Sequence, residues 1–121
     1  MPYQLSEINT RVQQDPAAFL AECDAAYQQR IESAVDGILA RMKESPIVLL
    51  SGPSGSGKTT TALKLEQELI RRGVNTHTIS MDNFFKTLNR ATAPRTPEGD
   101  IDYESPLLLD MELLGETFTK L

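Results

Sequence analysis

The sequence predicts an α/β fold, a parallel sheet with flanking helices, preceded by a helical extension over residues 1–44. Three observations predict it. Pro46-Ile47-Val48-Leu49-Leu50-Ser51 is a short continuous apolar run, the pattern of a strand covered on both faces. A glycine-rich stretch follows, and from Thr59 to about Arg72 the apolar residues Ala62, Leu63, Leu65, Leu69 and Ile70 recur at helical spacing, with Gly73 placed for a C-cap. Val74 to Met81 then mixes apolar and polar side chains with good β-propensity and reads as a second strand.

Ahead of the sheet, Ser6 to Gln14 reads as a short helix with Ser6 as N-cap, and Asp15-Pro16 restarts the pattern as N-cap and N1. The apolar positions Phe19, Leu20, Cys23, Tyr27, Ile31, Ala34, Val35, Ile38, Leu39 and Met42 hold a 3.6-residue period to about Lys43, weakened slightly by Gly37. Such a stripe docks on a core, or on a partner helix. Residues 45–121 carry the sheet. After the second strand, Leu88 to Tyr103 is rich in Pro, Gly and charge and reads as an exposed, mobile loop. Ser105-Pro106 offers an N-cap and N1 for a last helix through Leu107, Leu108, Leu109, Met111, Leu113 and Leu114, with Gly115 as its interruption.

The chemistry sits between strand and helix. Gly52-Pro53-Ser54-Gly55-Ser56-Gly57-Lys58-Thr59 fits the phosphate-loop pattern G-x-x-x-x-G-K-S/T without a mismatch. Average residue frequencies produce that coincidence roughly once in a few hundred chains of this length. Strand, glycine loop, helix is also the required order. Gly52, Gly55 and Gly57 let successive N–H groups of the loop, those of Ser54 and Ser56 among them, turn toward one anion, and the helix N-terminus adds its dipole. Lys58 is placed to reach the β and γ phosphates of ATP as a point charge, Thr59 to hold the bridging Mg²⁺, and Thr60 is a further phosphate contact. The competing reading is a glycine-rich turn that merely starts a helix. The fold class is therefore that of a P-loop NTPase. Asp82 ends the second strand, and ligands of open α/β sheets gather at the carboxyl ends of strands.

Composition narrows the classes. The 121 residues suit one domain, and a net charge of −5 without clustered Lys and Arg argues against nucleic-acid binding. No run approaches the ~18 apolar residues of a membrane span, and the start MPYQLSEINT lacks the blocks of a signal peptide, so a cytoplasmic location without membrane contact is expected. Cys23, the one cysteine, reads as a small buried hydrophobe. His77, the one histidine, reads as surface.

Taken together, SGPSGSGKTTTA, SMDNFF and DYESPLLLD resemble the uridine kinase and phosphoribulokinase-like family of phosphate-loop kinases, over roughly Pro46 to Leu121. The resemblance implies transfer of the ATP γ-phosphoryl group to the primary hydroxyl of a nucleoside. It makes Asp82 the base that accepts the acceptor's proton close to the metal, where a turn cap is the plainer role. Glu104 matches a carboxylate that binds the ribose hydroxyls. Where the family has Asp-His-Pro this chain has Glu104-Ser105-Pro106, which leaves the sugar contact in place and removes an imidazole from the base contact. Phe85 stands where a tyrosine is common, either stacking on a base or packing in the core.

The resemblance also implies a sheet incomplete in this chain, with a central third strand, a further acidic metal partner and an arginine-bearing lid beyond Leu121. Little or no turnover by these residues alone is expected, together with self-association through open strand edges. Two other readings stay open: a kinase for glycerate, a sugar or another small hydroxy compound, and a nonenzymatic nucleotide- or partner-binding module.

Overall fold

The computed structural model describes residues 4–121 and divides into two compact units, one ending at Thr78 and the other spanning Ile79–Leu121. Residues 1–3 of the expected N-terminal extension lie outside the described residues.

In the first unit, α1 (Leu5–Gln14) and α2 (Pro16–Arg41) meet at Asp15, which serves both. Its backbone N–H donates to the Arg11 carbonyl at 3.0 Å, ending α1, while its carboxylate accepts from the Ala18 N–H at 3.0 Å and Pro16 stands at N1 of α2. Capping of this kind satisfies backbone donors that a helix start leaves unpaired. Arg11 closes the corner by pairing with Glu22 and lying over the Phe19 ring, 4.9 Å from its centroid. The N-cap of α1 is Gln4 and not Ser6, with no side-chain cap bond. Ser6 sits inside the helix, where its carbonyl accepts from the Thr10 hydroxyl.

The apolar stripe of α2 packs on α3 (Lys58–Arg71), burying Ile31, Val35 and Leu69; Cys23, Tyr27, Ile38 and Leu39 are half-buried, and His77 is exposed. Gly73, at φ +83°, closes α3: its N–H donates to the Ile70 carbonyl and that of Val74 to the Leu69 carbonyl, a paired C-terminal motif that a left-handed glycine makes accessible. A polar clamp spans the helix pair. Arg72 donates through Nε to Glu68 at 2.8 Å, through Nη2 to the Glu32 carbonyl at 3.4 Å, and pairs with Asp36. Arg71 adds a bidentate bond to Glu68. Tyr27 faces Thr61 and Asp36 faces Arg72, so α2 and α3 run in the same direction.

Neither expected strand forms. Among the described residues, 46–51 and 74–80 form no regular secondary structure and enter no ladder, and Ile47, Val48, Leu49 and Leu50 are all exposed. A helix closes its hydrogen bonds locally, whereas a strand exists only beside another strand. The two segments do not pair with each other. The 74–78 segment is instead tied to α3 by the Thr78 hydroxyl, which bonds Glu66.

The second unit is built on turns. A 3₁₀ turn at Met81–Phe84 packs against α4 (Met111–Thr119), and Phe85 forms an antiparallel bridge with Leu109 through Lys86 N–H to Leu108 O (2.8 Å) and Asp110 N–H to Phe84 O (2.6 Å). That bridge breaks the last helix earlier than Gly115. Ser105 caps only the 3₁₀ turn Pro106–Leu108, Leu109 is extended, and Asp110 caps α4, which runs through Gly115 unbroken. The loop before it holds a hairpin, Arg95 bridged to Ile101, whose turn uses Gly99 at φ +96°.

Glu68 is buried between two guanidiniums, and its bonds to Arg71 and then Arg72 hold its carboxyl at about 2, down from 4.5. A carboxyl depressed in the folded state stabilises fully above about pH 4.5 and loses that contribution as pH falls toward about 2. Urea unfolding followed across this window should show a stability loss that Glu68→Gln largely removes, the variant being the less stable at pH 7.

Candidate phosphate-binding site

The loop between Ser51 and α3 carries three glycines, two of them in a conformation that L-residues rarely adopt. Gly55 (φ +72°) and Gly57 (φ +84°) are left-handed, and Gly57 is the residue immediately before α3. Having no side chain, Gly57 provides no cap, so the N–H groups of the first turn of α3 receive no side-chain acceptor. A helix start left this way presents donors to an anion. At Gly52 the constraint is space: a Cβ there would stand 2.9 Å from the Ser56 hydroxyl oxygen. The Ser56 N–H closes the loop on the Pro53 carbonyl at 3.2 Å.

Lys58 folds back over this loop. Its Nζ donates to the Pro53 carbonyl at 2.8 Å, which puts the ammonium on the loop that the first-turn donors of α3 also border. Ser54, Thr59 and Thr60 are exposed beside it. Thr61 anchors the far side, its N–H donating to the Gly57 carbonyl at 2.9 Å and its hydroxyl bonded to the Tyr27 hydroxyl at 2.8 Å. Glycines where a Cβ would clash or strain, uncapped N–H donors and one ammonium form a donor set that fits a polyphosphate. Among the described residues no group of three or more His, Cys, Asp or Glu side chains could hold a metal. A Mg²⁺ ion that arrives with phosphates needs no such group, since it keeps several waters and takes few protein oxygens.

The remaining candidates lie in the second unit. Asp82 is exposed in the 81–84 turn, and the cap of that turn is Ser80, whose Oγ accepts from the Asp82 N–H at 3.3 Å. The Asp82 carboxylate therefore does not cap it. Glu104 is exposed after a turn in which its own N–H donates to Asp102 Oδ1 at 3.1 Å. Ser105 is buried and its hydroxyl accepts from the Leu107 N–H, so it is occupied by the turn at the position where the resembling family has an imidazole. Phe85 is about half exposed and lines a pocket of about 310 Å³ with Lys86, Leu88, Tyr103 and Leu108. Sequence reasoning missed Tyr103 and Lys86, which flank Glu104 and Phe85 in the chain but carry no motif of their own. It also missed Tyr27, whose partner is 34 residues away.

The model of the Phosphoribulokinase / Uridine kinase family matches residues 47–121, more than half of the chain. The chain belongs to this family. Membership implies the P-loop NTPase fold, although among the described residues no strand of its sheet is formed. Two relatives from Schizosaccharomyces pombe match as well. One, a uridine kinase, is 40% identical over 68 residues, covering 54% of this chain and 14% of the relative. The other, the uncharacterized kinase mug58, is 38% identical over 64 residues, covering 47% of this chain and 23% of the relative. The chain thus spans less than a quarter of the length of either. No solved structure matches it significantly. Among the described residues no helix is long and apolar enough to cross a membrane.

Backbone conformation separates two kinds of glycine here. Gly57→Ala forces an L-residue to φ +84° and should cost about 1–2 kcal/mol. Gly37→Ala, inside α2 with nothing within 4 Å, should gain about 0.5–1 kcal/mol. Urea denaturation of both variants reads the opposite signs.

Proposed function

We propose that this protein is an ATP-dependent kinase whose acceptor is the 5′-hydroxyl of a nucleoside. The observation that carries the reading is the loop ahead of α3, with two left-handed glycines, an uncapped first turn and the Lys58 ammonium over the Pro53 carbonyl. Its family and the kinase names of both relatives support it.

When bound there, Mg-ATP supplies the transferable γ-phosphoryl group. The loop N–H groups of Ser54 to Thr60 would hold the phosphate oxygens, Lys58, which now donates to the Pro53 carbonyl, would donate to the β and γ phosphates, and the Thr59 hydroxyl would be a ligand of the metal. Asp82, an exposed carboxylate not used as a cap, would be the base that takes the proton of the acceptor hydroxyl. Glu104 accepts from the ribose diol. The pocket of Phe85 and Tyr103 offers two aromatic faces to a nucleobase. The same reading gives 46–51 and 74–80 to a parallel sheet, paired with strands other than each other.

A second reading changes the acceptor and is favoured by Ser105, whose hydroxyl is already bound. A serine hydroxyl held in this turn does not fill the space of an imidazole, which weakens the base contact at this position, and a smaller hydroxy compound such as glycerate or a sugar would meet Asp82 equally well.

Calorimetric titration of Mg-ATP should give saturable binding that Lys58→Ala weakens by tenfold or more, as expected for loss of a charge-assisted contact. Absence of saturable binding by the unaltered, folded protein would sink the kinase reading. In a turnover assay of the whole protein with uridine, cytidine, glycerate and ribose as acceptors, Asp82→Asn should lower kcat about 10²- to 10⁴-fold while leaving Mg-ATP binding in place. A preference for glycerate or ribose would decide for the second reading.

A further inference from the structure

We infer that Tyr27 on α2 is a positioning residue for the phosphate loop, acting through Thr61; the inference rests on the kinase reading above. Thr61 is the residue that fastens the loop to its helix, because its N–H makes the first backbone bond of α3, to the carbonyl of Gly57. Gly57 itself is left-handed, has no side chain and is pinned by that bond rather than by packing; a Cβ built there would meet nothing within 4 Å. The direction of the donors at Gly57, Lys58, Thr59 and Thr60 therefore follows the placement of Thr61.

A threonine in a helix commonly turns its hydroxyl back to the carbonyl four residues earlier, which here would be Gly57. In this protein the hydroxyl bonds the Tyr27 hydroxyl at 2.8 Å, part-buried between the two helices. The tyrosine is held in turn. Lys64, one turn along α3, lies over its ring at 4.9 Å from the centroid, and α2 below it is fixed by the buried Ile31 and Val35 and by the Arg72 bond to Asp36. Tyr27 thus couples the loop to a helix that precedes the family match at residues 47–121. That gives α2 a role in nucleotide binding without contacting the nucleotide.

The test is Mg-ATP affinity by calorimetry together with thermal unfolding for Tyr27→Phe, Thr61→Val, Thr61→Ser and the Tyr27→Phe/Thr61→Val double variant. Tyr27→Phe and Thr61→Val should each weaken binding roughly three- to tenfold, the size of one neutral hydrogen bond. The double variant should be no weaker than either single one, and Thr61→Ser, which keeps the hydroxyl, should bind within twofold of the unaltered protein. In the assay KM for ATP should rise with kcat and the acceptor KM unchanged. A merely structural bond would lower the unfolding midpoint and leave the affinity of the folded protein intact; that result, or additive losses in the double variant, overturns the inference while the kinase reading stands. No binding by the unaltered protein overturns both.

Discussion

The seating of α3 on α2 is the constraint from which the first unit's geometry follows. In the P-loop arrangement a sheet fixes the helix behind the loop, but among the described residues no strand pairs, so the surface available to α3 is α2. Burial of Ile31, Val35 and Leu69 supplies non-directional attraction, which by itself would tolerate sliding of one helix along the other. Direction comes from the ends. Tyr27 with Thr61 at one end and Arg72 with Asp36 at the other hold the helices parallel and in one register, with the loop always at the Tyr27 end.

Glu68 shows the electrostatic side of that constraint. A carboxylate with little access to water is costly unless its lone pairs are met, and here both oxygens accept from Arg71 while one also accepts from Arg72. Those partners lie on α3 and its C-cap, so the charge is compensated within that helix, and Arg72 then carries the network across to α2 through both terminal nitrogens, to Asp36 and to the Glu32 carbonyl. An apolar residue at 68 would bury as well but would not hold the Arg72 guanidinium in place for its bonds to α2. The same logic explains why Arg72 lies at the C-cap: there a cation also faces the carbonyl end of the helix.

What the sequence made legible follows the range of each interaction. Asp15-Pro16 and Gly73 act within four or five residues, and both helix ends lie where those residues put them. Ser6 was misread because a cap residue type says nothing when the chain turns helical one residue earlier. The break at Leu109 was missed because its cause, the bridge to Phe85, joins residues far apart in the chain, whereas Gly115 was overweighted, its cost as a helix residue being only about 1 kcal/mol. The apolar run at 46–51 reads as a strand by content, yet a strand is a relation between segments and no partner stands beside it. The phosphate loop, in contrast, is eight consecutive residues whose glycines state their own conformation. Tyr27 could not be found in that way, since nothing local marks its hydroxyl as bonded.

The acceptor side follows a different physics from the phosphate side. On the proposed reading, recognition around the loop is by backbone donors and one ammonium, groups that suit any polyphosphate. In the second unit the polar group best placed by sequence to read a base edge, Ser105, is buried and committed to the Leu107 N–H, so on the proposed reading a base is met by the faces of Phe85 and Tyr103. Aromatic faces accept every base, and discrimination must come from donors and acceptors at the rim. Lys86 is the pocket's one charged residue and can only donate. An acceptor rich in carbonyl oxygens on that edge is therefore favoured over one that presents an amino group, which ranks uridine above cytidine on the nucleoside reading.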